Sequence, residues 1–280
     1  FSAGVDSTAA SLVMPGKTVL GYHQRSFDSL LDHRNALRLI DEINKREWRD
    51  TIVIESDHEL IRTTQGKQVG FSTDFASSVH LILLADYLDL GSIAFGMPID
   101  NTWLKKGRKF RRFEETHYWN YWSERFSNAG LDLFLPIAGI SEAGALMICK
   151  ESWMLEFLNS CLRGDGTQGC GKCWKCFHKN GPLGRPFDPD ALEINRFLER
   201  RPLPTATHAL WAMQQMELEY KVPDLAHLFD HDFSWWTKIY PPMKDLLPDD
   251  LREEVWSNLT SRLEIMTEPY AVESVNHFDE

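Results

Sequence analysis

Four cysteines packed into one short stretch constrain this chain more than any other feature. Cys161, Cys170, Cys173 and Cys176 lie in CLRGDGTQGCGKCWKC and give the spacing C-x8-C-x2-C-x2-C. Two successive C-x2-C turns aim several thiolates at one point, and the glycine-rich stretch lets Cys161 fold back to join them. Four sulfurs in a tetrahedron suit Zn²⁺ at Zn–S distances of ~2.3 Å and leave no open position for catalysis. A structural zinc site is the expectation, with an iron–sulfur cluster and a redox C-x2-C pair as its rivals. Cys149 sits in an apolar helical stretch and reads as a core thiol, and His178 is the alternative ligand. So tight a cluster is no disulfide framework, and it fits a reducing cytoplasm.

The rest of the composition is that of a water-exposed globular chain. It has 280 residues, 43% apolar and 25% charged. No apolar run reaches the ~18–20 residues of a membrane span, and the start has no signal-peptide pattern. No membrane partner is expected. The net charge of −11 argues against broad nucleic-acid binding, which favours basic surfaces.

Short β-branched runs alternate with helical patterns along the first half. Lys17–His23, Asp50–Glu55, Ser92–Gly96 and Leu131–Ile137 read as strands. Asp28–Arg46, Phe75–Leu88, Thr116–Phe126 and the stretch from Ser141 to Leu158 read as helices. Such alternation predicts an α/β fold, an open parallel sheet with helices on both faces. Ligands of these sheets bind at the carboxyl ends of the strands. That rule brings Phe1–Ala10, Tyr22–Arg25 and Gly96–Asn101 to one crevice. After Pro189 the pattern changes to tryptophan-bearing helices joined by prolines. The expected organisation is an α/β domain over 1–160, a cysteine segment over 161–180, a helical extension over 190–266 and a loose acidic tail over 267–280.

The first residues, FSAGVDSTAA, form a tight turn opening a helix. Ser2, Ala3 and Gly4 are small enough to let an anion reach the main chain. The amides of Ser2 to Thr8 and the dipole of the helix beginning near Val5 then make an anion nest. Ser7 and Thr8 add hydroxyls, and Asp6 can hold Mg²⁺ or a water. An N-capped helix is the plainer reading. A strand is expected ahead of this turn, with residues missing before Phe1.

SAGVDST resembles the PP-loop signature Ser-Gly-Gly-x-Asp-Ser of the ATP pyrophosphatase superfamily, with Ala3 at the first glycine. With the cysteine spacing, with GYHQR (Gly21–Arg25) and with LFLPIAGIS (Leu133–Ser141), the order of motifs resembles the 7-cyano-7-deazaguanine synthase (QueC-like) family over about residues 1–179. The resemblance implies an adenine nucleotide alpha hydrolase-like fold and an AMP-forming, ATP-dependent ligase. Such an enzyme adenylates a substrate oxygen, usually of a carboxylate, on the way to an amide or nitrile. It further implies ATP, Mg²⁺ and structural Zn²⁺, with Asp6 and Ser7 as catalytic residues. The nucleotide would be held by Ser2, Ala3, Gly4, Val5, Asp6, Ser7, Thr8, Tyr22 and Gly96, and the zinc by Cys161, Cys170, Cys173 and Cys176.

Two departures suggest a divergent paralogue with a changed substrate. The family opens the helix before the cysteines with Thr-Lys, where this chain has Ser141-Glu142. A Gly-Arg-Asn motif is replaced by Phe71-Ser72-Thr73-Asp74. The partner is then a carboxylate-bearing small molecule or conjugate. The alternatives are a tRNA-modifying PP-loop enzyme and a specialised paralogue of a defence operon acting on a protein or nucleotide conjugate. The C-terminal helices suit packing, self-association or a protein partner. The basic run of Lys105, Lys106, Arg108, Lys109, Arg111 and Arg112 reads as a solvated face or as a loop closing over phosphates.

Overall fold

The computed structural model describes residues 1–25, 32–57, 75, 78–161 and 163–277. The Phe71–Asp74 motif lies outside them. The first half alternates as expected: helix α1 (Val5–Val13), strand β1 (Leu20–Arg25), α2 (Arg34–Lys45), β2 (Thr51–Ser56), the short α3 (Val79–Leu83) and β3 (Ser92–Ala94). A hairpin of β4 (Leu104–Lys105) and β5 (Lys109–Phe110) precedes α4 (His117–Asn128), β6 (Asp132–Phe134) and α5 (Glu142–Lys150). Beyond the cysteines come α6 (Leu192–Leu198), α7 (Ala206–Gln215) and α8 (Arg252–Thr260), with a series of 3-10 turns between the last two.

Local sequence explains where the elements start and which face they bury. In α2 the residues Ala36, Leu39, Ile40 and Ile43 recur at helical spacing and are all buried, the stripe that a core-facing helix requires. Thr116 caps α4 by accepting from the Trp119 amide at 3.2 Å. Ser141 caps α5 through the Gly144 amide at 2.9 Å. Both hydroxyls satisfy donors that a helix leaves unpaired at its start.

The strands pair in parallel, β1 with β2 and β3 with β6. Among the described residues a continuous open sheet is not seen: there are two separate parallel pairs, and β1 and β3 do not pair with each other. A cavity of about 250 Å³ separates them, lined by Leu20 and Gly21 of β1, Ser92 to Ala94 of β3, Ala10 of α1 and Met14 just after it. At one end of it the Phe1 nitrogen donates to the Gly21 carbonyl at 2.7 Å.

One hydrophobic core runs through the α/β half and the C-terminal helices alike. Trp236 is fully buried, its carbonyl accepts from the Ser141 hydroxyl, and Tyr240 donates its amide to Gly139 at 2.8 Å. Asn258 of α8 reaches the Val13 carbonyl at 3.1 Å. The tail, as far as His277, is not loose as expected, because Val272, Val275 and His277 are buried. Nor is the basic run a loop over phosphates. Its β4–β5 hairpin binds the tail, Phe110 donating to the Val275 carbonyl and His277 to that of Arg108. Arg111 is spent on the carbonyls of Thr102 and Asn101. No helix among the described residues is long and apolar enough to cross a membrane.

Candidate active site

The four cysteine sulfurs come together as their spacing predicts. Cys161 lies 3.6 Å from both Cys170 and Cys173, Cys173 lies 3.6 Å from Cys176, and Cys170 lies 4.0 Å from Cys176. A tetrahedron around a metal with ligands at ~2.3 Å has edges of about 3.8 Å, so these sulfurs can hold an ion such as zinc. Gly169 is needed beside them: a Cβ there would stand 3.0 Å from the Cys176 sulfur. Cys149 is apart and fully buried, its thiol donating to the Val5 carbonyl at 3.4 Å. Burial pushes that thiol's pKa up, so it is an inert core group.

The Ser2–Thr8 turn is built as an opened helix end. Ala3 adopts φ +56°, a left-handed conformation unusual for a residue with a side chain. Gly4 is the extended residue before α1. The Val5 amide donates to the Ser160 hydroxyl at 3.1 Å, from the residue just before the first cysteine. The next two amides, of Asp6 and Ser7, find no acceptor among the described residues, as the first turn of a helix leaves them. Gly96 lies against this turn, where an added Cβ would stand 2.8 Å from the Asp6 carbonyl. Only glycine allows that approach.

The hydroxyls are used differently from expectation. Ser7 accepts from the Ser2 amide at 3.0 Å and donates to the Gly4 carbonyl at 3.2 Å, so it braces the turn itself. The Thr8 hydroxyl oxygen is fully buried and has no hydrogen-bond partner among the described residues. Tyr22 turns to the α2 side, where its hydroxyl meets His33 Nδ1.

Sequence reasoning missed the group that dominates the site's charge. Directly after Cys176 a single π turn, Cys176–Asn180, carries Lys179 inward. Its Nζ stands 2.7 Å from Asp6 Oδ1 and 2.7 Å from Glu142 Oε2, joining the first turns of α1 and α5. Burial lowers the Lys179 pKa, but the charges of Asp6 and Glu142 outweigh it and the net shift is upward. Burial raises the Glu142 pKa, and Lys179 and the two nearby histidines more than reverse it. Asp100 Oδ2 accepts from the Glu142 amide at 3.1 Å. Its burial, with Glu142 beside it, raises its pKa well above the ordinary carboxylate value.

Glu142, His178 and His208 also bring possible ligand atoms within 4.8 Å of one another. They do not suit a cation. Lys179 already occupies Glu142 Oε2. Trp236 Nε1 donates to His208 Nδ1 at 3.3 Å while His208 Nε2 reaches the His178 carbonyl at 3.1 Å. Both His208 nitrogens are thus committed, which fixes it as a neutral Nε2–H tautomer.

A family model described only as a family of unknown function, DUF6395, matches residues 121–278. The match takes in the cysteines, Glu142, Lys179 and His208 and leaves out the Ser2–Thr8 turn and Asp100. No curated protein and no solved structure matches the chain. Covering more than half of the sequence, the match shows that the chain belongs to the DUF6395 family of unknown function.

Proposed function

We propose that the Ser2–Ser7 turn binds the phosphates of ATP and that the protein is an AMP-forming ligase-like enzyme acting on a carboxylate. The observation that carries the reading is the opened start of α1. There the Asp6 and Ser7 amides lack an acceptor and Gly96 keeps the turn free of a neighbouring side chain. Such a helix start favours a bound polyphosphate. The Asp6 and Ser7 amides would hold the β and γ phosphates, and Asp6, at the rim, would face the magnesium. Magnesium bound there offsets charge on the phosphate oxygens. A substrate carboxylate oxygen attacks the α-phosphorus, the bond to the bridging oxygen breaks, and pyrophosphate leaves with that electron pair. An acyl adenylate remains, which ammonia or an amine converts to an amide with release of AMP.

The resemblance over residues 1–179 and the metal-competent cysteines support this reading. The test is pyrophosphate release from ATP across a panel of carboxylates, with mass analysis of any adenylate. Release that depends on one carboxylate is expected. Absence of release, together with no binding of ATP by calorimetry, would leave the turn as a helix cap.

A further inference from the structure

Lys179 is a buried cation that reaches the opened turn from inside the protein, and its surroundings are lopsided. Its side chain is 6% exposed; its Glu142 partner is 10% exposed and its Asp6 partner 32%. Glu142 is thus the buried anchor, and Asp6 is the side open to a ligand. A lysine ammonium has three protons and no acceptor function. Two of them face Asp6 and Glu142.

The neighbourhood also holds polar capacity that no protein group fills. Asp100 Oδ1 and both ring nitrogens of His178 are fully buried without hydrogen-bond partners among the described residues. Asp100 is 1% exposed and His178 fully buried. Buried polar atoms are ordinarily paired. Unpaired ones within electrostatic reach of a clamped ammonium are polar capacity that a ligand can complete.

We propose, building on the reading of the turn as a phosphate site, that Lys179 is a phosphate-contacting residue whose third N–H donates a hydrogen bond to the leaving pyrophosphate. Glu142 and Asp6 hold the ammonium in place from behind and from the side. The π turn after Cys176 sets its reach, so the cysteine segment contributes directly to the phosphate site. The ligand class is a magnesium-bound polyphosphate. Asp6 would otherwise repel it, and a cation shared between Asp6 and the phosphate removes that conflict. The role differs from a purely structural ion pair, in which Lys179 would neutralise Asp6 and Glu142 and touch nothing else.

Calorimetry with magnesium pyrophosphate on the full chain distinguishes these roles. The variants are Lys179→Met and the double variant Lys179→Met/Glu142→Gln, which removes the ammonium and one carboxylate together and keeps the buried charge balanced. Should the single variant fail to fold, the double variant carries the test, with melting temperature and zinc content measured alongside. The expected result is wild-type binding, with affinity falling about tenfold to hundredfold in the double variant, as for loss of a bond to a charged group. A folded double variant that binds pyrophosphate as tightly as wild type overturns the role of Lys179 and leaves the phosphate turn standing. Wild-type protein that binds neither pyrophosphate nor ATP overturns the phosphate turn itself, and this role with it.

Discussion

The cysteine cluster and the Ser2–Ser7 turn are neighbours, yet they are assembled in opposite ways. The cluster takes all four of its ligand atoms from one segment, Cys161 to Cys176, and its geometry follows from spacing and a few glycines. The turn takes its form from everywhere: Ser160 holds its Val5 amide, Gly96 clears its flank, Lys179 neutralises Asp6, and Asp100 braces Glu142. A site built from one segment has its free energy in the ligand. A site built from five places has its free energy in the rest of the fold, and each partner removed leaves a different group stranded.

The largest effect should come from the local site. The protein as isolated is expected to carry about one zinc per chain, since the four thiolates close a tetrahedral shell. Cys173→Ser should lose the metal together with most of the stability, because metal-binding free energy at such a site is folding free energy. Elemental analysis and thermal melts check this. Iron in place of zinc, or a metal-free wild type with an unchanged melt, would break the contrast at its root.

Lys179→Met alone comes next. It strands two carboxylates, one of them deeply buried, and breaking a buried pair from one side typically costs about 3–5 kcal/mol. Denaturant titration measures it. Glu142→Gln in the same background should recover much of the loss, whereas no second substitution near the cysteines should rescue Cys173→Ser. Equal rescue at both sites would mean that the cysteine cluster, too, draws its stability from the surrounding fold.

His208 gives the dispersed site a pH signature. Burial, with the Lys179 charge adding to it, lowers the His208 pKa to about 4, against ~6.5 in an unfolded chain. Between those values the unfolded chain takes up a proton that the folded one refuses. Stability therefore is fully present above pH ~6.5 and falls as pH drops toward about 4, by up to roughly 3 kcal/mol. His277 is also lowered to about 4, chiefly by burial, and acts with the same sign. His277→Gln should remove only its own part of the slope. A stability flat across this window in both proteins would contradict the buried, neutral state of His208.

The same division explains what could be read from the sequence. The cysteine spacing, the caps at Thr116 and Ser141 and the four strands are local patterns, and the structure has each of them. Three of the four strands came out shorter, and their joining into one sheet is not a local property: β1 and β3 flank a cavity. Lys179 could not be found by pattern, because its meaning lies in two carboxylates 173 and 37 residues away. The one available hint was the polar HKN triplet wedged between Phe177 and Gly181. Such a cluster in an apolar setting has to be paired. The basic run is solvated at Lys105, Lys106, Lys109 and Arg112, one of its two readings, while the docking of its hairpin on the tail is a distant contact the sequence did not signal.

The smallest effect sharpens the comparison most finely, because it separates holding the turn from holding the ligand. Ser7 spends its hydroxyl on the Ser2 amide and the Gly4 carbonyl, so Ser7→Ala should cost about 1 kcal/mol of stability, the net worth of an ordinary hydrogen bond. Were Ser7 a direct donor to a phosphate, the same change would spare stability and weaken ATP binding by roughly 1.5–3 kcal/mol. Ala3, already at positive φ, makes the first outcome the expected one, since a strained turn needs its brace. The Asp6 and Ser7 amides remain in place in the variant, so ATP affinity should move little. Paired melts and calorimetry on Ser7→Ala decide the matter: lost stability with retained affinity assigns the side chain to the turn and leaves the phosphate to the main chain and Lys179.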